Sequence, residues 1–240
     1  MRTLKNMKKI AETNTEELSC DHCKRSFVRP GSLLKHLCES KRRWMDRDKA
    51  SNRIAFNAWL KFYQSMQPKR KKLEYTDFSS SPYYIGFVKY GTYCVEVGVV
   101  NPSSYIDYLL KEKISLDNWA SDKVYSKYLV LYLRSENELD AIHRSVENMM
   151  KLAELDSIEL RDVFRYASSN KICQLICNGK ISPWILYQSK TGQEFLGKLN
   201  DDQRGIIYEY IDPEKWNIKF KREKEEVKMV NVIISEINGL

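Results

Sequence analysis

Cys20-Asp-His-Cys23-Lys-Arg-Ser-Phe27-Val-Arg-Pro-Gly-Ser-Leu33-Leu-Lys-His36-Leu-Cys38 carries three of the chain's six cysteines and two of its three histidines. Cys20 and Cys23 are separated by two residues, and twelve residues then lead to His36. Two thiolates on a tight turn and an imidazole on a helix can enclose a tetrahedral Zn2+ ion. So short a module cannot bury enough apolar surface to fold unaided, and metal binding supplies the missing free energy. The other three cysteines are scattered, so a metal site plus buried thiols in a reducing compartment is expected rather than a disulfide framework.

The spacing resembles the two-cysteine, two-histidine zinc finger. Phe27, four after the second cysteine, and Leu33, three before His36, stand where that family keeps its two small-core hydrophobes. The resemblance implies a small ββα finger over 19–43. The fourth ligand departs from the pattern. The family places it with three to five residues after the first histidine, and those positions here are Ser40, Lys41 and Arg42. Cys38 is the favoured substitute, because thiolate is a better zinc ligand than the alternatives Glu39 and Asp46. Residues two apart on a helix point to nearly opposite sides, so Cys38 can ligate only if the helix ends or loosens near His36. His22, inside the cysteine turn, is expected to face solvent.

The resemblance also marks residues that read DNA bases at fixed offsets before the first histidine, here Arg29, Ser32 and Lys35. Arginine and lysine pair with guanine O6 and N7 in the major groove. One finger covers too little surface for tight specific binding. Its flanks add Lys41, Arg42, Arg43, Arg47, Lys49, Arg53 and the cluster Lys69, Arg70, Lys71 and Lys72 as phosphate contacts.

Charge supports a polyanionic partner. The 240 residues carry a formal net charge of +8. Residues 1–75 hold 19 basic and 8 acidic side chains, whereas residues 76–240 hold 21 and 24. The excess belongs to the first third, and nucleic acid, DNA more than RNA, is the partner it suggests. Two other functions fit a lone finger: a structural or assembly protein whose finger docks a protein, or, more weakly, an endonuclease. No apolar run approaches the length of a membrane span. The basic start lacks an apolar signal core, so secretion is not expected.

Downstream, residues 46–66 read as an amphipathic helix. Ile54, Ala58 and Phe62 recur on one face, with Ala55, Trp59 and Tyr63 beside them. Gln67-Pro68 then opens a basic linker. Ser81-Pro82, Asn101-Pro102, Ser182-Pro183 and Asp212-Pro213 each place a capping residue before a proline at a helix start. Helices are predicted over 103–113, 117–133 and 136–152, and over 158–177, 191–199, 202–211 and 223–237. The aromatic stretch 83–100 suits strands by composition, but its Ser-Pro start and lack of a hairpin turn favour helix. The class is therefore mainly α: a flexible tail (1–18), the finger (19–43), a basic helix and linker (44–72), and an all-α helical body (73–240) able to bind a protein partner.

Other signals carry less. Tyr84-Ile85-Gly86 is half of a GIY-YIG nuclease signature without its Gly-Ile-Tyr half nearby. His143 has no second histidine to pair with outside the finger. Cys173 and Cys177 share a helix face as buried thiols, and Trp184, Tyr187 and Trp216 read as core. No catalytic constellation emerges, and a non-enzymatic protein is expected. The run from His36-Leu-Cys-Glu-Ser-Lys-Arg-Arg through Ala55-Phe-Asn-Ala-Trp-Leu-Lys-Phe-Tyr63, with Ser81-Pro-Tyr-Tyr84 and Ser182-Pro-Trp-Ile-Leu-Tyr187, is similar to a family of proteins from large tailed bacteriophages. Those pair an N-terminal zinc finger with a helical body. The resemblance implies a virus-encoded protein in the host cytoplasm and brings no activity with it.

Overall fold

The structure, a computed structural model, describes residues 18–66 and 72–237. The expected tail lies almost wholly outside the described residues, as do Lys69, Arg70 and Lys71. The architecture is mainly α with a small N-terminal ββ element. Strand β1 (Leu18–Ser19) pairs antiparallel with β2 (Ser26–Phe27), Leu18 opposite Phe27. Helix α1 (Pro30–Lys35) completes the ββα unit, and α2 (Glu39–Met45) follows at once.

The expected helix over 46–66 starts late, as α3 (Ala50–Met66). Asp46–Lys49 form a turn instead, held where the buried Asn52 amide donates to the Asp46 carbonyl at 2.8 Å. Helix α3 buries Ala55, Ala58 and Trp59. Between α3 and α5 (Tyr84–Val97) lies the short α4 (Tyr75–Ser79). Gly91 sets the approach of α5 to α3, since a Cβ there would collide with the Ser51 carbonyl oxygen. The stretch 83–100 is thus helical, ending at Gly98 with φ 66°, the left-handed cap glycine accommodates best.

Three of the four proline pairs open helices as expected. Asn101, Ser182 and Asp212 accept from backbone N–H groups at the starts of α6 (Pro102–Lys111), α11 (Pro183–Gln188) and α14 (Pro213–Arg222). Ser81-Pro82 does not. The Ser81 hydroxyl accepts from the Tyr83 N–H inside a turn, and α5 begins only at Tyr84, whose side chain is buried. The predicted 117–133 helix is also broken. Trp119 is buried and its indole N–H donates to the Ile114 carbonyl at 3.0 Å, so a 3-10 turn at Leu116–Asn118 precedes α7 (Asp122–Ser135).

Helix α8 (Glu138–Asp156) outruns its predicted end. The predicted 158–177 helix divides into a 3-10 turn, α9 (Val163–Tyr166) and α10 (Ser169–Cys177), because Ala167 is extended. Helices α12 (Lys190–Lys198), α13 (Asp201–Ile211) and α15 (Lys224–Glu236) complete the body. One continuous apolar core runs from Ala55 on α3 to Ile234 on α15 and encloses Trp59, Trp119, Trp184 and Trp216. Across its middle, the fully buried Glu136 side chain pairs with Arg144 at 2.6 Å and accepts from the Ser182 hydroxyl at 3.0 Å. Among the described residues, no helix is long and apolar enough to cross a membrane.

Candidate metal centre and basic face

The cysteine turn is built by the backbone. Cys20 N–H donates to the Arg25 carbonyl at 2.9 Å and Lys24 N–H to the Cys20 carbonyl at 2.7 Å. Lys24 takes φ 60° to close it. The segment that follows α1 brings the other two candidate ligands to this turn. The helix stops at Lys35: His36 caps it with extended backbone, φ −69° and ψ 120°. That break is the condition the sequence set for Cys38. Two residues on, Cys38 becomes the N-cap of α2, its sulfur accepting from the Lys41 N–H at 3.4 Å.

The result is a cluster of Cys20, Cys23, His36 and Cys38 whose ligand atoms all lie within 4.8 Å of one another. The Cys20 and Cys38 sulfurs are 3.9 Å apart, and the Cys23 sulfur is 3.2 Å from His36 Nε2. A tetrahedral zinc with bonds of about 2.3 Å to sulfur and 2.0–2.1 Å to nitrogen has edges of about 3.6–3.8 Å. To fit that cage the widest donor pairs would close by at most about 1 Å and the Cys23–His36 pair would open by about 0.4 Å. The His36 ring packs against Phe27, centroids 4.7 Å apart, and Leu33 is half-buried.

The thiols differ in acidity. Backbone N–H bonding from Cys23 holds Cys20 below the ordinary thiol value, with His22 adding to it against burial. At Cys23 the Arg25 N–H lowers the pKa, but burial and the neighbouring Cys38 and Cys20 sulfurs together raise it. Cys20 is thus the more acidic of these two thiols.

Arg29, the N-cap of α1, and Ser32 and Lys35 within it are all exposed, at three-residue spacing. Arg42, Arg53 and Lys72 are exposed too. Lys41 is half-buried, and its ammonium donates to the His36 carbonyl at 3.3 Å, so it braces the ligand loop. Lys49 pairs with Asp46 at 2.8 Å, and the Arg47 guanidinium lies over the Trp44 ring at 4.9 Å.

Arg43, expected at a phosphate, is placed elsewhere. Its guanidinium donates to the Ser79 carbonyl at 2.7 Å, pairs with Glu39 and lies over the Tyr84 ring at 4.4 Å. The Tyr75 hydroxyl donates to the Arg43 carbonyl at 3.0 Å, and Trp44 meets Tyr75 edge-on. His22 also sits against Trp44, 6.0 Å between rings, rather than standing free in solvent. These contacts fasten the finger to the body. Sequence reasoning missed this role. The one signal was Trp44, a large apolar residue directly after a basic run.

Of the residues read as core, Trp184, Trp216 and Cys173 are buried, whereas Tyr187 and Cys177 are only half-buried. His143 is exposed on α8. Comparison of the chain with protein-family models, curated proteins and solved structures gives no significant match.

Proposed function

We propose that this is a zinc-binding, nucleic-acid-binding protein in which Cys20, Cys23, His36 and Cys38 hold one structural Zn2+. The observation that carries the reading is the convergence of three thiols and an imidazole at tetrahedral spacing, on the module whose helix exposes Arg29, Ser32 and Lys35. Soft thiolate ligands select zinc over hard cations. Four protein ligands leave no open coordination position, so the metal's contribution is folding rather than Lewis-acid chemistry.

Residues 18–53 carry ten basic and four acidic side chains. In the proposal, Arg29 and Lys35 meet base edges, Ser32 stands between them, and Arg42, Arg53 and Lys72 meet phosphates. DNA is favoured over RNA, since the major groove admits such a helix whereas that of RNA is too narrow. The protein then acts as a non-enzymatic accessory factor in transcription, replication or packaging. The phage setting rests on the sequence resemblance alone.

Fluorescence anisotropy with short duplex DNA, single-stranded DNA and RNA tests this. Binding that weakens steeply with salt and disappears with a zinc chelator supports it. Binding of no nucleic acid at low salt contradicts it.

A second reading has its own support. Val28, Leu34 and Leu37 of the finger are 96%, 81% and 52% exposed. Apolar side chains on a small metal-held module suit docking to a protein partner. That reading expects no retention on DNA at physiological salt and loss of a pulled-down partner when Leu34 becomes Asp.

A further inference from the structure

We propose that the finger is a thiol switch: hydrogen peroxide joins Cys20 to Cys38, which displaces the metal and frees α1 while α2 stays on the body. The proposal rests on the zinc reading above and goes beyond it by giving the four ligands unequal roles.

The sulfurs are not equivalent. Those of Cys20 and Cys38 stand 3.9 Å apart, whereas the Cys23 sulfur lies 3.2 Å from His36 Nε2. A disulfide needs about 2.05 Å, so the first pair must close by about 1.9 Å. Cys38 stands on extended backbone between α1 and α2, outside both helices. It is half-buried, and Cys20 is buried. Peroxide therefore meets Cys38 before Cys20. The Cys38 thiolate attacks one peroxide oxygen and hydroxide leaves, giving a sulfenic acid. The Cys20 thiolate then attacks that sulfur; the S–S bond forms and the sulfenic oxygen leaves as a second hydroxide. Two thiolates lose two electrons in all, and the peroxide, with two protons, becomes two waters. Attack at the exposed Cys23 leads to the same product, because a Cys20–Cys23 bond is open to exchange with the Cys38 thiolate. The other thiols stay out of this chemistry. Cys94 and Cys173 are buried, and burial pushes Cys94 up to about 12 and Cys177 up to about 11. Little thiolate exists there to react.

The product divides the finger in two. Cys20 follows β1 and Cys38 caps α2, so the new bond staples the hairpin to the helix that Arg43 and Trp44 fasten to the body. Cys23 and His36 are left without a shared ion. Helix α1 has six residues and buries no side chain, far too little to persist alone. Released at its His36 end, it opens. Arg29, Ser32 and Lys35 then lose the spacing that α1 gives them.

Peroxide treatment of the zinc-loaded full chain tests this, read by a zinc-sensitive dye and by mass mapping of unreduced peptides. One zinc should be released per Cys20–Cys38 link, with Cys23 and the body cysteines still open to alkylation after unfolding. Hydrogen exchange should show α1 amides losing about tenfold or more of their protection while α2 amides keep theirs. The reduced, chelated protein should lose both. Dithiothreitol with added zinc should restore the starting state. Duplex DNA affinity should fall about tenfold or more on oxidation. A persistent Cys20–Cys23 link, a Cys20–Cys38 link that leaves zinc in place, or α2 protection falling as far as it does on chelation would overturn the proposal. Zinc well below one per chain before peroxide is added would overturn the metal reading with it, whereas zinc release without the Cys20–Cys38 link would overturn the switch alone. Failure of the zinc-loaded protein to bind DNA contradicts the nucleic-acid reading and leaves the mapping, zinc and exchange outcomes unchanged.

Discussion

The finger and the body are stabilised by different physics. From Leu18 to Ser51, Cys20 is the one buried residue, and neither α1 nor α2 buries a side chain. The body instead wraps four tryptophans and rows of tyrosine and isoleucine in one core. An element without a core needs another source of folding free energy, and a metal held by four convergent ligands is the source proposed. The contrast explains why the two meet as they do. Cys38 is at once a metal-ligand candidate and the cap of α2, and α2 carries the Arg43 and Trp44 that grip the body. In the proposed zinc-bound protein, metal binding would therefore orient the basic face as well as fold the finger.

The largest predicted effect separates the two regions outright. Chelation, or Cys20→Ser, removes metal binding of the order of 10–16 kcal/mol and unfolds residues 18–45. The body's thermal transition should shift by no more than a few degrees in calorimetry. Loss of the whole far-ultraviolet helical signal on chelation would show that the body depends on the metal as much as the finger does. Next comes the reverse experiment. Trp184→Ala opens a cavity in the body core and should cost about 3–5 kcal/mol by urea unfolding. Zinc stoichiometry should stay at one per chain.

Much of this division is legible in residue spacing. Cys20, Cys23 and His36 mark the cluster by position, and Cys38 by chemistry, because no other nearby side chain is as good a ligand. Asn101-Pro102, Ser182-Pro183 and Asp212-Pro213 announce their helices, since a side-chain acceptor before a proline satisfies a helix start with local groups alone. Ser81-Pro82 and Trp119 mislead for a shared reason. Their backbones follow where Tyr84 and Trp119 rings enter the core, a tertiary demand no local pattern contains. Helix α2 is invisible for the opposite reason: Glu39-Ser-Lys-Arg-Arg has no apolar period, and its partners Tyr75, Ser79 and Tyr84 lie over thirty residues away.

Arg43 sharpens the comparison at the junction. Arg43→Ala removes a charge-assisted bond to the Ser79 carbonyl and the contact with Tyr84. About 1.5–3 kcal/mol of docking should be lost. Hydrogen exchange should show α2 amides losing roughly tenfold or more in protection while α5 and α8 keep theirs. Equal loss throughout would make Arg43 a residue of the global fold.

The smallest effect is a pH dependence confined to the body. Burial raises the Glu136 carboxyl above its ordinary value near 4.5, with Arg144 and Ser182 opposing less strongly. The folded state therefore holds this proton more tightly than the unfolded chain. Its contribution to stability is full below the ordinary carboxyl range and fades as pH rises through the folded-state pKa. Urea midpoints of wild type minus Glu136→Gln, measured across that range, should fall with rising pH. A difference that rises with pH would show that Arg144 outweighs burial.

X-ray absorption at the zinc edge of the metal-loaded protein tests the central claim most directly. The account predicts one zinc per chain with three sulfur neighbours at about 2.3 Å and one nitrogen at about 2.0–2.1 Å. Cys38→Ser should reduce the sulfur count to two. A wild-type shell of two sulfurs, or zinc present well below one per chain, would contradict it.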